Sequence, residues 1–297
     1  MPARTERRGS IVTAVAIGLL AVAALLAGGC ATTVDAPASP TASAAPATPA
    51  APAAAAARAV LAPEGVLRIA VYPGSPTSMV RRAGADASGA RVCGMSVDLG
   101  TEIARRLGVP ARIVEFERVE QVVDAVHRGA GDLAITNASP ARAALVDFTK
   151  PVVAIELGYL VMPGSPVTSI AEVDRPGIRV GVGQGSTSQA TLGRTFQHAQ
   201  IVPAPSLQAA GAMLTDRRID TYATNKAILF QLGDGLPGSR VLDGRWGVES
   251  LAIAVPKGRE AGIPWLEAFA ADARREGLVD RAAACAGLRG LAPPEAR

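Results

Sequence analysis

Asp132-Leu-Ala-Ile-Thr-Asn-Ala-Ser-Pro-Ala-Arg142 reads as a short strand, Asp132 to Thr136, running straight into the start of a helix. Ser139 takes the N-cap and Pro140 the first helical position, where a missing N–H costs nothing and φ is already helical. Arg142 then falls in the first turn. Upstream, Val119, Val122, Val123 and Val126 mark a helix stopped near Gly129, and Ala111 to Phe116 is a strand. Val97, Ile103, Ala104 and Leu107 share one face of a helix over Ser96 to Leu107, with Gly108 as its C-terminal stop. Val66 to Tyr72 opens the series as a buried strand closed by Pro73-Gly74. The order β-α-β-α-β with short connections requires parallel strands with helical crossovers, and ligand then sits beyond the strand C-termini. Tyr72 to Ser75 and Asn137 to Arg142 lie at two such ends.

Downstream, Val152 to Met162 is an unusually long, largely apolar strand. Ile178 to Val182, Ile201 to Val202 and Ile219 to Ala223 repeat the strand pattern with helices between, as a second compact unit. Leu251 to Val255 is a further strand, and a helical stretch over Ile263 to Cys285 closes the chain. The fold class is α/β.

Two stretches carry chemistry. The Arg142 guanidinium beside a helix start is a planar, bidentate receptor for a carboxylate; the alternative is a salt bridge to a nearby acid such as Asp147. Gly181-Val-Gly-Gln-Gly185-Ser186-Thr187-Ser188 follows a strand and precedes a helix, so its backbone N–H groups suit an anion or simply make a tight turn. It fails as a dinucleotide fingerprint because the third glycine is out of register, and as a P-loop because no Gly-Lys-Ser/Thr follows.

The N-terminus is an export signal. Arg4, Arg7 and Arg8 precede an apolar run, Ile11 to Leu26, that ends in Leu26-Ala27-Gly28-Gly29-Cys30. Small residues before a lone cysteine resemble a bacterial lipobox, which implies cleavage before Cys30, acylation of its thiol and new amine, and a mature chain held on a membrane surface. An uncleaved transmembrane anchor is the alternative; the cysteine at the end of the apolar run favours cleavage. Ala31 to Pro63 is almost wholly Ala, Pro, Thr and Ser and reads as a tether, residues 30–63. The formal charge of +4 falls to +2 without the first 29 residues, since three of 30 basic and one of 26 acidic side chains lie there. The remaining charges are mixed along the chain, and with ten aromatics in 297 residues they offer no nucleic-acid surface. Three cysteines and two histidines show no zinc or iron–sulfur spacing, so neither metal nor cofactor is expected.

The folded region resembles the family 3 extracytoplasmic solute-binding proteins of ABC importers, which include polar amino-acid receptors. The resemblance rests on Leu67-Arg-Ile-Ala-Val, on Ser96-Val-Asp-Leu-Gly with Ala104-Arg-Arg-Leu-Gly-Val109, and on Gly131-Asp-Leu-Ala-Ile. It continues through Ser139-Pro-Ala-Arg142 to Val146-Asp-Phe-Thr, Gly177-Ile-Arg-Val-Gly-Val with Gly185-Ser-Thr-Ser, and Ile253-Ala-Val-Pro-Lys-Gly258. It implies a type II periplasmic-binding-protein fold, two α/β lobes joined by a two-crossing hinge: lobe 1 over 64–157 and 250–297, lobe 2 over 158–249. It implies a ligand carboxylate clamped by Arg142 with Ser139 and the backbone at Asn137, met from lobe 2 by Gly185, Ser186 and Thr187, with Tyr72 on the first-strand loop. Where amino-acid receptors carry an acid to pair the ligand ammonium, this chain reads Thr224-Asn225-Lys226, so Asn225 is a neutral replacement and Glu249 a candidate for the missing charge. The implied partners are a small solute and an ABC permease. The protein is expected to be an extracytoplasmic, lipid-anchored monomer.

Two other classes fit the same scaffold: an exported cyclohexadienyl-dehydratase-like enzyme, for which only Glu249 or Asp132 offers a remote acid–base group, and a ligand-sensing module. Trp246 and Trp265 read as core or rim, and His127 as a structural group at a helix end. Cys93 and Cys285, both in lobe 1, are free to pair in an oxidising compartment if their Cα atoms come within about 7 Å.

Overall fold

The computed structural model describes residues 51–83 and 90–293. The signal segment, Cys30 and the tether as far as residue 50 lie outside the described residues. Among the described residues no helix is long and apolar enough to cross a membrane.

The first half runs through helix α1 (Ala51–Leu61), strand β1 (Leu67–Val71), a hairpin of β2 (Val80–Ala83) and β3 (Ala90–Cys93), helix α2 (Met95–Leu107), strand β4 (Ala111–Glu115), helix α3 (Val119–His127), strand β5 (Ala134–Asn137) and the single-turn α4 (Pro140–Ala143). β1 pairs in parallel with β4 and meets β5 through a parallel bridge, Ile69 to Leu133, as the alternating pattern requires. Leu67, Ile69, Ala70 and Val71 are all buried because helices cover both faces of this sheet. Val97, Ile103, Ala104 and Leu107 form part of the buried face of α2, which ends at Gly108 with φ 69°, the left-handed cap that a glycine adopts without steric cost.

The second half comprises β6 (Val146–Phe148), β7 (Val153–Val161), β8 (Arg179–Gly183), α5 (Thr187–Thr195), β9 (Gln200–Ala204), α6 (Leu207–Thr215), β10 (Thr221–Asn225), α7 (Lys226–Asp234), β11 (Arg240–Val241), β12 (Gly247–Pro256), α8 (Ile263–Arg275) and α9 (Leu278–Ala286). β7 pairs antiparallel with β12 through Val153 to Leu157, then with β10 through Leu157 to Leu160. β12 continues from β7 onto β5, Leu251 facing Asn137. These two long strands therefore lie side by side in one eight-stranded sheet of order β5-β12-β7-β10-β8-β9, with β6 on β12 and β11 on β7, and carry the chain from its β5 end to its β10-β8-β9 end. The hydrophobic residues divide accordingly: Ile69, Ile103, Leu133 and Phe269 share one core, while Tyr159 and Val180 and Leu214 and Tyr222 belong to clusters around the β10-β8-β9 end.

Three expectations need correction. The tether does not extend to residue 63, because Ala51–Leu61 is helical and Ala57, Leu61 and Ala62 are buried in the first core. An alanine run is the strongest intrinsic helix former, and Leu61 gives it an apolar anchor. Leu61 lies so close to Gly262 that a Cβ there would come within 2.5 Å of it, and Arg259 donates to the Leu61 carbonyl at 3.1 Å. Leu61→Ala in the full-length chain is expected to cost about 2 kcal/mol, the low end for such a truncation because α1 has few core residues and can relax into the space. An unchanged urea midpoint would show that α1 contributes no stability. Secondly, the final helical stretch breaks at Gly277, φ 68°, into α8 and α9. Thirdly, β12 starts at Gly247 rather than Leu251, because pairing with β7 extends it through polar residues.

Cys93 and Cys285 are bonded, Cα to Cα 5.6 Å, and fasten β3 to α9. Beyond α9 the chain lies along the free edge of β7: Glu156 N donates to Gly290 O and Ala292 N to Ala154 O, each at 2.9 Å. Arg289 pairs with Asp234 of α7 at 2.5 Å and stacks over Phe230.

Candidate functional site

One cavity is lined from both lobes and by the crossing strand β12. On the first side, the Ser139 hydroxyl caps α4 by accepting from Arg142 N at 3.4 Å, with Pro140 next in line, as this pattern requires. That short turn swings the Arg142 side chain back over the end of β5. Its Nη1 donates to Thr136 Oγ1 at 2.7 Å and to the Asn137 carbonyl at 3.5 Å. The residue is 8% exposed, and among the described residues no carboxylate pairs with it. The alternative partner Asp147 is taken by Lys257 at 2.5 Å. Burial pulls the Arg142 pKa down, and the charge of Glu249 opposes that.

On the second side, the Gly183–Ser186 turn leads into α5. Gly185 adopts φ 69° and a Cβ there would come within 2.3 Å of Glu120, so glycine is what lets this loop touch the opposite lobe. Ser186 caps α5 by accepting from Gln189 N at 3.1 Å. Asn137 Nδ2 donates to Thr187 Oγ1 at 3.1 Å, a hydrogen bond that spans the two lobes.

Asn225 has both ends of its amide engaged. Its Oδ1 accepts from Ile228 N at 3.0 Å, capping α7, and its Nδ2 donates to Glu249 Oε1 at 2.7 Å. Glu249 is 8% exposed. Its second oxygen has no hydrogen-bond partner among the described residues, and burial pushes the carboxyl pKa up against the Asn225 hydrogen bond and the Arg142 charge.

Tyr72, Asn137, Arg142, Ser186, Thr187 and Asn225 thus come together on the cavity wall, whereas Ser139 and Gly185 shape the wall without lining it. Sequence reasoning placed Glu249 only loosely, although strand alternation with Leu251, which also lines the cavity, puts it on that face. It missed Arg118, which follows the C-terminal end of β4 and reaches the cavity; a strand end of the same kind as the other two was the available signal.

The remaining candidates have structural employment. Asp132 receives Arg68 at 2.8 Å through both carboxylate oxygens and Arg259 at 2.7 Å; burial would raise its pKa, but these hydrogen bonds hold it below the usual value. It does not line the cavity. Trp265 is buried in the first core, Trp246 Nε1 donates to Gly158 O at 3.0 Å, and His127 Nδ1 lies 2.8 Å from Leu145 O. Among the described residues no three His, Cys, Asp or Glu side chains gather as a metal site would need.

What the site offers is a buried cation and a buried anion on one cavity, with hydroxyl and amide donors between. The sequence profile of the bacterial extracellular solute-binding proteins, family 3, matches residues 67–284. The solute receptor for L-cysteine of Neisseria gonorrhoeae superposes with TM-score 0.68 at 24% identity, covering 80% of this chain and 99% of that one. An amino acid ABC transporter substrate-binding protein of Streptococcus pneumoniae, bound to L-arginine, gives 0.68 at 18%, over 76% and 96%. A reconstructed ancestral amino acid-binding protein, a precursor of cyclohexadienyl dehydratase, gives 0.65 at 21%, over 75% and 96%. At these identities the likeness establishes the fold, two α/β lobes of the type II periplasmic-binding class. No curated protein matches the chain.

Proposed function

Since the chain belongs to the bacterial extracellular solute-binding proteins of family 3, we propose that it is the extracytoplasmic receptor of an ABC importer and takes a small amino-acid-like solute between its lobes. In this reading the signal segment is removed, Cys30 carries the lipid anchor, and a membrane permease accepts the solute. The observation that carries the ligand assignment is the pairing problem inside the cavity. Arg142 and Glu249 are both buried, feel each other's charge and form no direct ion pair. Buried charges are costly unless paired and hydrogen-bonded. A solute bearing a carboxylate and an ammonium satisfies both at once, the carboxylate on Arg142 and the ammonium on the free oxygen of Glu249. Asn225 acts by holding Glu249 in place. Closure then adds the Asn137–Thr187 hydrogen bond and the start of α5 to the carboxylate side.

The test is pH. An acid whose pKa is raised in the folded, ligand-free protein contributes stability that is fully present below its unfolded value and lost as pH rises through the folded value. Ligand-free stability therefore declines above the ordinary glutamate value of 4.5. Affinity for an amino acid moves the other way, rising by at most about tenfold per pH unit until Glu249 is ionised and then levelling. Glu249→Gln is expected to flatten both profiles and to weaken binding by about 1.5–3 kcal/mol, the range for a hydrogen bond to a charged group. Calorimetric titration across pH reads both, and an unchanged slope in the variant would remove Glu249 from ligand recognition.

A second reading has one observation in its favour: a buried carboxyl with a raised pKa facing a cleft is also what a general acid requires. Loss of prephenate absorbance on incubation with the full-length chain would select it, and stable absorbance would reject it.

A further inference from the structure

The cavity holds a second guanidinium that the carboxylate–ammonium scheme does not use. Arg118 stands where β4 hands over to α3, and its side chain lines the cavity with Val119 and Val122. Its backbone N–H is satisfied by Gln121 Oε1 at 3.1 Å, but its Nε is buried without a hydrogen-bond partner. Among the described residues no carboxylate pairs with it. Other arginines of the same lobe are paired: Arg68 with Asp132, Arg81 with Glu115, Arg106 with Glu276. The neighbouring Glu120 packs against Gly185 of the opposite loop instead. A buried N–H with no acceptor leaves free energy unrealised until an anion arrives.

We infer that Arg118 is a second anion-binding point and that the solute is an acidic α-amino acid, whose side-chain carboxylate it receives. The inference rests on the proposed function, because it assumes that Arg142 and Glu249 hold the α-carboxylate and the ammonium. With those two charges balanced, Arg118 leaves the cavity one positive charge in excess, and a solute of net charge −1 neutralises it. A neutral side chain leaves the guanidinium idle, and a basic one is repelled by it. The fork of an arginine also matches a carboxylate in geometry, which a lysine does not.

The experiment is calorimetric titration of the full-length chain with L-glutamate, L-aspartate, their amides L-glutamine and L-asparagine, L-arginine and glutarate. An acidic amino acid is expected to bind on the order of tenfold or more tightly than its amide, the equivalent of one charge-assisted hydrogen bond. Arg118→Gln is expected to collapse that ratio to about threefold or less, and Arg118→Lys, which keeps the charge but not the fork, to leave an intermediate ratio. The wild-type ratio tests the inference even if a variant fails to fold. Glutamine or arginine binding as tightly as glutamate would overturn it, as would an acid-to-amide ratio unchanged by Arg118→Gln. Glutarate binding as tightly as glutamate would overturn the ammonium assignment to Glu249 while supporting Arg118. Binding by no amino acid would overturn both.

Discussion

Arg142→Ala should weaken amino-acid binding by about 2–5 kcal/mol, roughly thirtyfold to several-thousandfold in dissociation constant. The size follows from what is left behind. A ligand carboxylate on Arg142 enters a buried site, and without that guanidinium it keeps only hydroxyl, amide and backbone donors there. The same substitution should leave ligand-free stability unchanged or raise it. Arg142 is buried with only Thr136 and a backbone carbonyl as partners, and an unpaired buried charge is a burden on the fold. Loss of binding without loss of stability separates recognition from structure. Calorimetric titration gives the first quantity and a urea melt the second. Equal binding by the variant would show that Arg142 does not meet the carboxylate.

Removing the disulfide is expected to have the largest effect on stability. Cys93 and Cys285 are 192 residues apart in sequence, so their bond closes most of the folded chain into one loop. In the chain-entropy account a loop of that length is worth about 5 kcal/mol, towards the upper end of measured disulfide contributions. For a chain of this size that is roughly a 10–20 °C fall in melting temperature for the Cys93→Ser, Cys285→Ser pair. Scanning calorimetry with and without reductant reads the same quantity in the unaltered chain. Alkylation of both thiols without reductant would exclude the bond.

Much of this architecture is visible in the residues because burial is regular. The run from Leu67 to Val71 has to be buried on both faces, and the apolar faces of α2 and α3 recur at helical spacing. Where local composition and tertiary role diverge, the reading fails. Ala51–Leu61 looks like low-complexity tether because alanine is weakly hydrophobic, yet alanine also forms helix readily, and Leu61 fixes it to the core. The β2–β3 hairpin sets Arg81, Arg82 and Arg91 among small apolar residues and has no alternation strong enough to announce it. The site divides in the same way. Arg142 is legible because Ser139-Pro140 states a helix start, while the burial of Glu249 and the enclosure of Arg118 Nε depend on elements far away in sequence. Asn225 reads as a substitute ligand, but its cap to Ile228 and its hydrogen bond to Glu249 appear only when α7 and β12 are brought together.

The segment at residues 290–292 alters the mechanics of the hinge. Lying on the outer edge of β7, it makes a ribbon three strands wide, tail, β7 and β12, where the chain path alone would give two. A flat ribbon bends easily across its face and resists twisting or in-plane shear. A hinge built on such a ribbon is expected to confine lobe rotation to one axis, which would return Asn137 and Thr187 to the same alignment on closure. Arg289 sits beside this ribbon against Asp234 and Phe230 of α7 and does not line the cavity. If the lobes rotate about this ribbon, a fluorophore beside it is expected to change its signal on solute binding.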